Sequence, residues 1–233
     1  MYVAERHEDV SPRMYSLFVR NDLHYRGPDL TEVLAHAVWD VHQLVPQRAR
    51  DFLFLHAGAV VRDGGALLLP ALMDSGKSSL VTALLRSGWE YLSDELGPID
   101  PVTGRIYPFP KLISLDEATL GFLPGLADRL EDRSVSPLPE RFVRPEDAGS
   151  TVGGAAPARW IVFPSPDFSG EARLAPLTSA EAVEKMAASC FNLYRYGERG
   201  VILLSRTAAS AQAFELRGGT PSERADLLSR ELS

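Results

Sequence analysis

The sequence predicts an α/β fold in which helices flank a mixed β-sheet. Two apolar runs, 52–61 and 66–69, are separated by Arg62-Asp63-Gly64-Gly65, which is a turn typical of a β-hairpin. The second run leads through a short polar loop into a segment with helical periodicity at 77–86, and a strand-like run follows at 89–95. A hairpin joined to a strand–loop–helix–strand unit predicts a sheet of mixed direction.

The remaining elements of the first half follow from local patterns. Residues 1–28 predict one or two edge strands, because short apolar stretches alternate there with polar residues. Apolar residues recur at helical spacing over 29–44, so we expect an amphipathic helix with Asp29 or Thr31 as its N-cap. The two histidines of that helix, His36 and His42, are expected on its solvated side.

The second half is interrupted by prolines. Six of them between 108 and 145 divide that stretch into short pieces, and 130–155 is interpreted as an exposed, partly mobile excursion. Order is expected to return with a buried strand. The expected elements are a strand at Ala158–Phe163, a helix from Ser179 to Leu193, short elements at 201–204 and 211–216, and a final helix over 221–232 with Pro221 in its first turn.

Length and charge limit the classes of protein that fit. A chain of 233 residues suits one domain, and we expect N-terminal strands and helix (1–50), a loop-bearing core (51–115), a variable loop or lid (116–157) and C-terminal strands and helices (158–233). A net charge of -7 argues against a nucleic-acid partner. No apolar run is long enough for a membrane span, and the single cysteine favours a cytoplasmic location.

The polar loop is a candidate phosphate-binding loop, or P-loop. Residues 71–79 read Ala-Leu-Met-Asp-Ser-Gly-Lys-Ser-Ser and match the second half of the pattern G-x-x-x-x-G-K-[ST]. In that pattern backbone N–H groups hold phosphate oxygens, the Lys reaches the β/γ-phosphates and the hydroxyl holds Mg²⁺. Ala71 replaces the first glycine, so an ordinary strand-to-helix turn is the alternative. The expected nucleotide-binding residues are Ala71, Asp74, Ser75, Gly76, Lys77, Ser78 and Ser79.

Three polar residues accompany this loop. His56 stands in an otherwise apolar strand, and Asp94-Glu95 ends the strand after the loop helix. If the sheet is parallel, the carboxyl ends of neighbouring strands share one edge, so these carboxylates can face a bound phosphate. A carboxylate there can bind Mg²⁺ or accept the proton of an attacking hydroxyl. A core histidine and a solvated strand end are the structural alternatives.

These residues resemble a known family. Leu55-His56-Ala57-Gly58-Ala59-Val60, the loop, and Leu92-Ser93-Asp94-Glu95 are similar to the catalytic core of HPr serine kinase/phosphorylase and its smaller relatives, which share a nucleotide-binding core with phosphoenolpyruvate carboxykinases. The resemblance covers about residues 50–115. It implies a P-loop core of that type with a mixed sheet and flanking helices.

The resemblance also implies roles. Asp94 would be the general base, His56 would lie beside its carboxylate, and Lys77 would bind the phosphates. Ser78, Asp94 and Glu95 would hold the metal. The implied ligands are ATP and Mg²⁺, with a hydroxyl-bearing acceptor as the second substrate. A homo-oligomer is also possible.

We therefore expect a cytoplasmic ATP- and Mg²⁺-dependent kinase that phosphorylates a peptide or protein serine, or a small molecule. Arginines in and near the excursion, Arg133, Arg141, Arg144 and Arg159, are candidates for a lid that supplies a cation to the phosphoryl group. The alternative is a non-catalytic nucleotide-binding or scaffold protein, because Ala71 and Asp74 replace two loop glycines. An ordinary P-loop ATPase or GTPase is a third interpretation.

Overall fold

The computed structural model describes residues 2–7, 14–19, 21–71, 75–123, 125–130 and 140–232. The strands, in chain order, are β1 (Tyr2–His7), β2 (Met14–Val19), β3 (Asp22–Gly27), β4 (Leu53–Arg62), β5 (Gly65–Pro70), β6 (Glu90–Ser93), β7 (Leu96–Ile99), β8 (Arg105–Ile106), β9 (Ile113–Asp116), β10 (Glu140–Val143), β11 (Ala156–Pro164), β12 (Arg173–Leu177) and β13 (Gln212–Arg217). The helices are α1 (Leu30–Arg48), α2 (Lys77–Arg86), α3 (Glu117–Gly121), α4 (Leu126–Leu130), α5 (Ser179–Ala188), α6 (Leu193–Tyr196), α7 (Glu198–Ser210) and α8 (Pro221–Glu231).

The central sheet is mixed, as predicted, but mostly antiparallel. Its eight strands follow the order β12-β13-β11-β5-β4-β7-β8, and β6 also pairs with β4. Among the described strands, the pairs β5–β11 and β11–β13 are parallel and the others are antiparallel. Strands β1 to β3 form a separate antiparallel sheet, where the sequence predicted one or two edge strands.

The central sheet lies between two helical layers. On one face α2 and α8 pack over a core that includes Leu67, Leu69 and Trp89, and on the other α5 and α7 pack over a core that includes Leu55 and Leu68. Buried apolar residues point alternately to the two faces of β4 and β5, as the pleat of a strand requires. Within the described ranges, no helix is both long and apolar enough to cross a bilayer.

The hairpin and three of the four predicted helices agree with the sequence. β4 and β5 pair in register from Ala57–Pro70 to Arg62–Gly65, and α2 spans the predicted 77–86. Asp29 caps α1 by accepting the Thr31 N–H at 2.6 Å. The final helix α8 begins at Pro221, and its capping box is formed by Thr220 and Glu223.

Two predictions in the C-terminal half were wrong. The helix expected to run from Ser179 to Leu193 ends at Ala188, because residues 189–191 turn toward β4, where the Phe191 N–H donates to the Phe54 carbonyl at 2.9 Å. The apolar run 201–204 is part of the longer helix α7 rather than a short element of its own. An apolar run of four residues does not distinguish a strand from a buried helical turn.

The strand ends at the loop are aligned by an antiparallel strand between them rather than by direct parallel pairing. β4 lies between β5 and β6 and runs antiparallel to both. β5 and β6 therefore run in the same direction, and their carboxyl ends lie at the same side of the sheet. Strand β11, parallel to β5, ends at this side as well.

Gly58 sets the distance between β4 and α2. A Cβ built on Gly58 would lie 2.7 Å from Val81 Cγ2, in the buried interface between the strand and the helix. Val81 is stiff about its first side-chain torsion, so the clash cannot be relieved by rotation alone. Only glycine lets α2 sit this close to the sheet.

The first test concerns this contact. We expect Gly58→Ala to destabilise the fold by about 1–3 kcal/mol through overpacking. Gly154→Ala is the matched control, because a Cβ there meets nothing within 4 Å, and it should change stability by about 0.5 kcal/mol or less. Urea unfolding measures both, and Gly58→Ala combined with Val81→Ala should show coupling. Equal stability of the two alanine variants would contradict the account.

Candidate active site

The site begins where β5 passes into α2. Gly76 is the N-cap of α2 in a left-handed conformation (φ 77°), and no side chain among the described residues caps the helix. The first N–H groups of α2 therefore point, with the positive end of the helix dipole, into the space beside the loop. Lys77 is buried, and its Nζ donates to the Ala71 carbonyl at 3.2 Å. Asp74 lies outside the described residues.

Ser75 carries a polar atom that the described residues do not satisfy. Its side chain is buried, and among the described residues its Oγ has no hydrogen-bond partner. A buried hydroxyl without a partner is unfavourable unless a ligand or water completes it. The Ser75 hydroxyl, the start of α2 and the loop lysine together suit a bound anion, so the residues present fit a phosphate group.

Asp94 is the buried centre of the site, with 1 % of its surface exposed. Its Oδ2 accepts the Ser78 hydroxyl at 3.1 Å and pairs with Lys111 Nζ at 2.9 Å, and its Oδ1 accepts the Tyr91 hydroxyl at 2.7 Å. Burial, followed by the charge and hydrogen bond of Asp94, raises the pKa of Tyr91 far above its ordinary value. Tyr91 therefore stays protonated and donates to the carboxylate.

The two acidic residues do not end a strand, as the sequence suggested, but interrupt one. β6 and β7 both pair with β4 in the same direction, and Asp94-Glu95 forms the break between them. Ser93 Oγ accepts the N–H groups of Glu95 (3.2 Å) and Leu96 (3.1 Å), which replaces ladder bonds at the break. Such a break re-aims side chains, so both carboxylates reach the crevice instead of alternating across the sheet.

His56 contacts Glu95 rather than Asp94. His56 lies two residues before Gly58 on β4, so the two residues are on the same face of the sheet. The Nε2 of His56 lies 3.4 Å from Glu95 Oε1. Burial raises the pKa of Glu95, but the hydrogen bond and charge of His56, with the charges of Lys111 and Lys77, outweigh it and lower the pKa. Because its pKa is lowered, the Glu95 carboxyl is ionised, and its side chain is 34 % exposed.

Sequence reasoning missed three residues of the site. Lys111 and Tyr91 complete the pairing of Asp94, and neither carries a motif; a lysine in a proline-broken stretch gives no signal of its own. His42 was expected on the solvated side of α1, but it is half-buried, with its ring 5.8 Å from that of Phe109. Burial, followed by the charge of Lys111, lowers the pKa of His42.

Other predicted residues lie at the margin or elsewhere. Ser79 Oγ bonds Thr119 Oγ1 at 3.1 Å, so this side chain ties α2 to α3, and only its backbone faces the loop. Of the lid arginines, Arg141 pairs with Glu117, Arg144 with Asp147, and Arg159 lies over the Trp160 ring. Arg133 lies outside the described residues.

Among the described residues, no three His, Cys, Asp or Glu side chains are grouped so that they could hold a metal ion by themselves. Mg²⁺ does not require this, because it is usually held by one or two carboxylates together with phosphates and water. Ser78 and Asp94 are the groups on which such an ion could sit.

No model of a known family matches the chain, and no curated protein matches it either. The kinase resemblance therefore depends on the residues themselves. Of these, Ser78 contacts Asp94, His56 contacts Glu95, and Lys77 lies close enough to Glu95 for its charge to lower the pKa of that carboxyl.

The Asp94–Lys111 pair supports a test of stability. We expect Lys111→Met to cost about 3–5 kcal/mol, because it leaves a buried carboxylate without its counter-ion. Asp94→Asn combined with Lys111→Met should regain most of that loss, since the neutral amide leaves no unpaired charge, its Oδ1 can accept from Tyr91 and its Nδ2 can donate to the Ser78 hydroxyl. Chemical unfolding at pH 7 measures both variants. Equal stability of the single and double variants would contradict the buried pairing.

The His56–Glu95 contact predicts a pH effect. Because the folded pKa of Glu95 is lowered, its contribution to stability is present above the unfolded pKa and is lost as pH falls through the folded pKa. His56→Gln should raise the Glu95 pKa, so that this loss begins at a higher pH. Carbon-detected NMR titration of the carboxyl measures the shift. His24→Gln, which breaks the separate contact with Asp40, should leave Glu95 unchanged; a Glu95 pKa that is the same in both variants would refute the coupling.

Proposed function

We propose that the chain is an ATP- and Mg²⁺-dependent kinase that transfers a phosphoryl group to a hydroxyl of a peptide, protein or small molecule. The observation that carries the proposal is the hydrogen bond from Ser78 to buried Asp94 at the first turn of α2, beside Lys77. Within the described part of the chain this helix has no side-chain cap, and the buried Ser75 hydroxyl has no partner. A loop lysine, a hydroxyl and an acidic residue in this relation are the parts that hold a triphosphate and its metal.

The loop residues would bind and orient the triphosphate. Backbone N–H groups at the start of α2 and the Ser75 hydroxyl are donors for phosphate oxygens, and Lys77 supplies a positive charge. When bound, Mg²⁺·ATP supplies the phosphoryl group and the metal that neutralises its charge. Ser78 and Asp94 would hold the metal. The metal would compete with Lys111 for Asp94 Oδ2, because the Lys111 ammonium pairs with that oxygen.

The contacts of the two carboxylates favour roles that differ from those implied by the resemblance, in which Asp94 is the general base. Both oxygens of Asp94 accept bonds from protein donors, and one of those donors is the metal-side Ser78. Glu95 is more exposed and is oriented by His56. We therefore assign proton removal from the acceptor hydroxyl to Glu95 and metal binding to Asp94, with His56 as a positioning residue for the base.

The assignment is tested by ADP release from Mg²⁺·ATP, with water or an arrayed library of serine peptides as acceptor. Lys77→Ala should abolish it, whereas Lys185→Ala, on α5, should not. Glu95→Gln should bind Mg²⁺·ATP normally but lower the rate by about a hundredfold or more. Asp94→Asn should instead raise the Mg²⁺ concentration needed.

Two outcomes would change this account. An active Glu95→Gln together with an Asp94→Asn that binds Mg²⁺·ATP but does not turn over would return the base to Asp94. Full ADP release by Lys77→Ala would refute the phosphate site.

A non-catalytic nucleotide-binding protein is the second candidate. It is favoured by the contacts of Asp94, which already accepts from Ser78, Tyr91 and Lys111. The Lys111 ammonium supplies the positive charge that a metal ion would otherwise supply. Replacement of loop glycines by Ala71 and Asp74 points the same way. Thermal stabilisation by Mg²⁺·ATP without ADP release above that of Lys77→Ala would select this candidate over the kinase.

A further inference from the structure

An exposed aromatic ring lies against the loop at the start of α2. Phe168 follows the carboxyl end of β11, the strand next to β5, and a Cβ built on Gly76 would lie 2.9 Å from Phe168 Cζ. The edge of the ring thus touches the glycine at which α2 begins. Phe168 keeps 44 % of its surface exposed. Ligands of α/β sheets bind at this end of the strands, next to such a loop.

A buried cation backs this ring. The guanidinium carbon of Arg224 lies 4.2 Å from the Phe168 ring centroid, while Arg224 itself is 1 % exposed. The covered face of Phe168 is therefore the one toward Arg224, and its exposed surface lies on the opposite side and rim. A cation over one face stabilises the ring in place.

The backbone around the ring is fixed from several directions. Arg224 donates to the carbonyls of Gly218 (2.7 Å) and Asp167 (2.8 Å), and the Gly218 N–H donates to Asp167 at 3.0 Å. Gly218 has φ 66°, and a Cβ there would lie 2.2 Å from the Glu171 carbonyl oxygen. Phe168 is consequently held by a pinned loop, which lowers the ordering cost of binding anything that stacks on it.

Arg224 also retains unused hydrogen-bonding capacity. Within the described part of the chain, its Nη1 has no hydrogen-bond partner. Buried charged donors are rarely left without an acceptor, which a ligand or water beside the ring would supply.

We propose that Phe168, backed by Arg224, is the stacking platform for the base of a purine nucleoside triphosphate whose phosphates occupy the loop at Ser75–Ser78. This inference rests on the proposed function, because the loop fixes where the phosphates lie. The flat exposed ring suits a purine, whose stacking needs no particular hydrogen-bond pattern. Phe168 thus accounts for affinity toward the base, and Lys77 for affinity toward the phosphates.

The test separates the base from the phosphates. Calorimetric titration compares Mg²⁺·ATP, Mg²⁺·GTP and Mg²⁺·tripolyphosphate on the full chain. Phe168→Leu should weaken both nucleotides about tenfold and leave tripolyphosphate unchanged, as expected for loss of one stacked base. Phe168→Trp should retain nucleotide affinity. Phe122→Leu, which removes another exposed phenylalanine, is the control and should change nothing.

Each other result overturns the platform. Equal weakening of nucleotides and tripolyphosphate would mean that Phe168 only shapes the loop through Gly76. Unchanged nucleotide affinity in Phe168→Leu, or wild-type protein that binds tripolyphosphate as tightly as ATP, would show that the base is not held there, while the phosphate site stands. Wild-type protein that binds none of the three would refute the proposed function and the platform together.

Discussion

The burial of one carboxylate, Asp94, constrains the whole candidate site. A charge removed from water must be paired and hydrogen-bonded, and its three donors come from α2, β6 and the segment before β9. Ser78 thereby fixes the first turn of α2 against the sheet, and Lys111 holds the polypeptide that follows β8 over the crevice. The close approach of Gly58 to Val81 lets this happen, because a larger residue would hold α2 away from Asp94.

Adjacent residues in the chain receive opposite environments. The break between β6 and β7 sends Asp94 into the buried network under α2, while Glu95 emerges beside His56 and remains partly exposed. Pairs of ionisable groups whose surroundings differ in this way are typical of sites where one group holds charge and the other moves a proton. The loop side adds a third region, in which Phe168 and Gly76 touch at the ends of β11 and β5. The proposals thus place the metal, the acceptor's proton and the purine base at three separate groups of residues.

Local patterns predicted the elements that local physics determines. The hairpin of β4 and β5, the limits of α2 and the capped start of α8 follow from turn residues, periodicity and caps. The acidic pair was placed near the loop because strand ends meet there, although β4 runs between β5 and β6 and the sheet is mostly antiparallel, and His56 was placed beside Asp94 by the family resemblance, whereas it contacts Glu95. Lys111, Tyr91 and the inward side of His42 depend on long-range packing, which one sequence does not encode in any short pattern. The sequence predicted that Asp94-Glu95 ends a strand, because Gly97 and Pro98 follow. Gly97 and Pro98, however, lie within β7.

The central claim is that the start of α2 holds the triphosphate, with its metal on Ser78 and Asp94. A crystal structure with Mg²⁺ and a non-hydrolysable ATP analogue tests it most directly. The account predicts phosphate density against the N–H groups of Gly76 to Ser78 and the Ser75 hydroxyl, with Lys111 displaced from Asp94 Oδ2 by the ion. Density for the analogue elsewhere on the chain, with the Ser78–Asp94–Lys111 contacts unchanged, would contradict it.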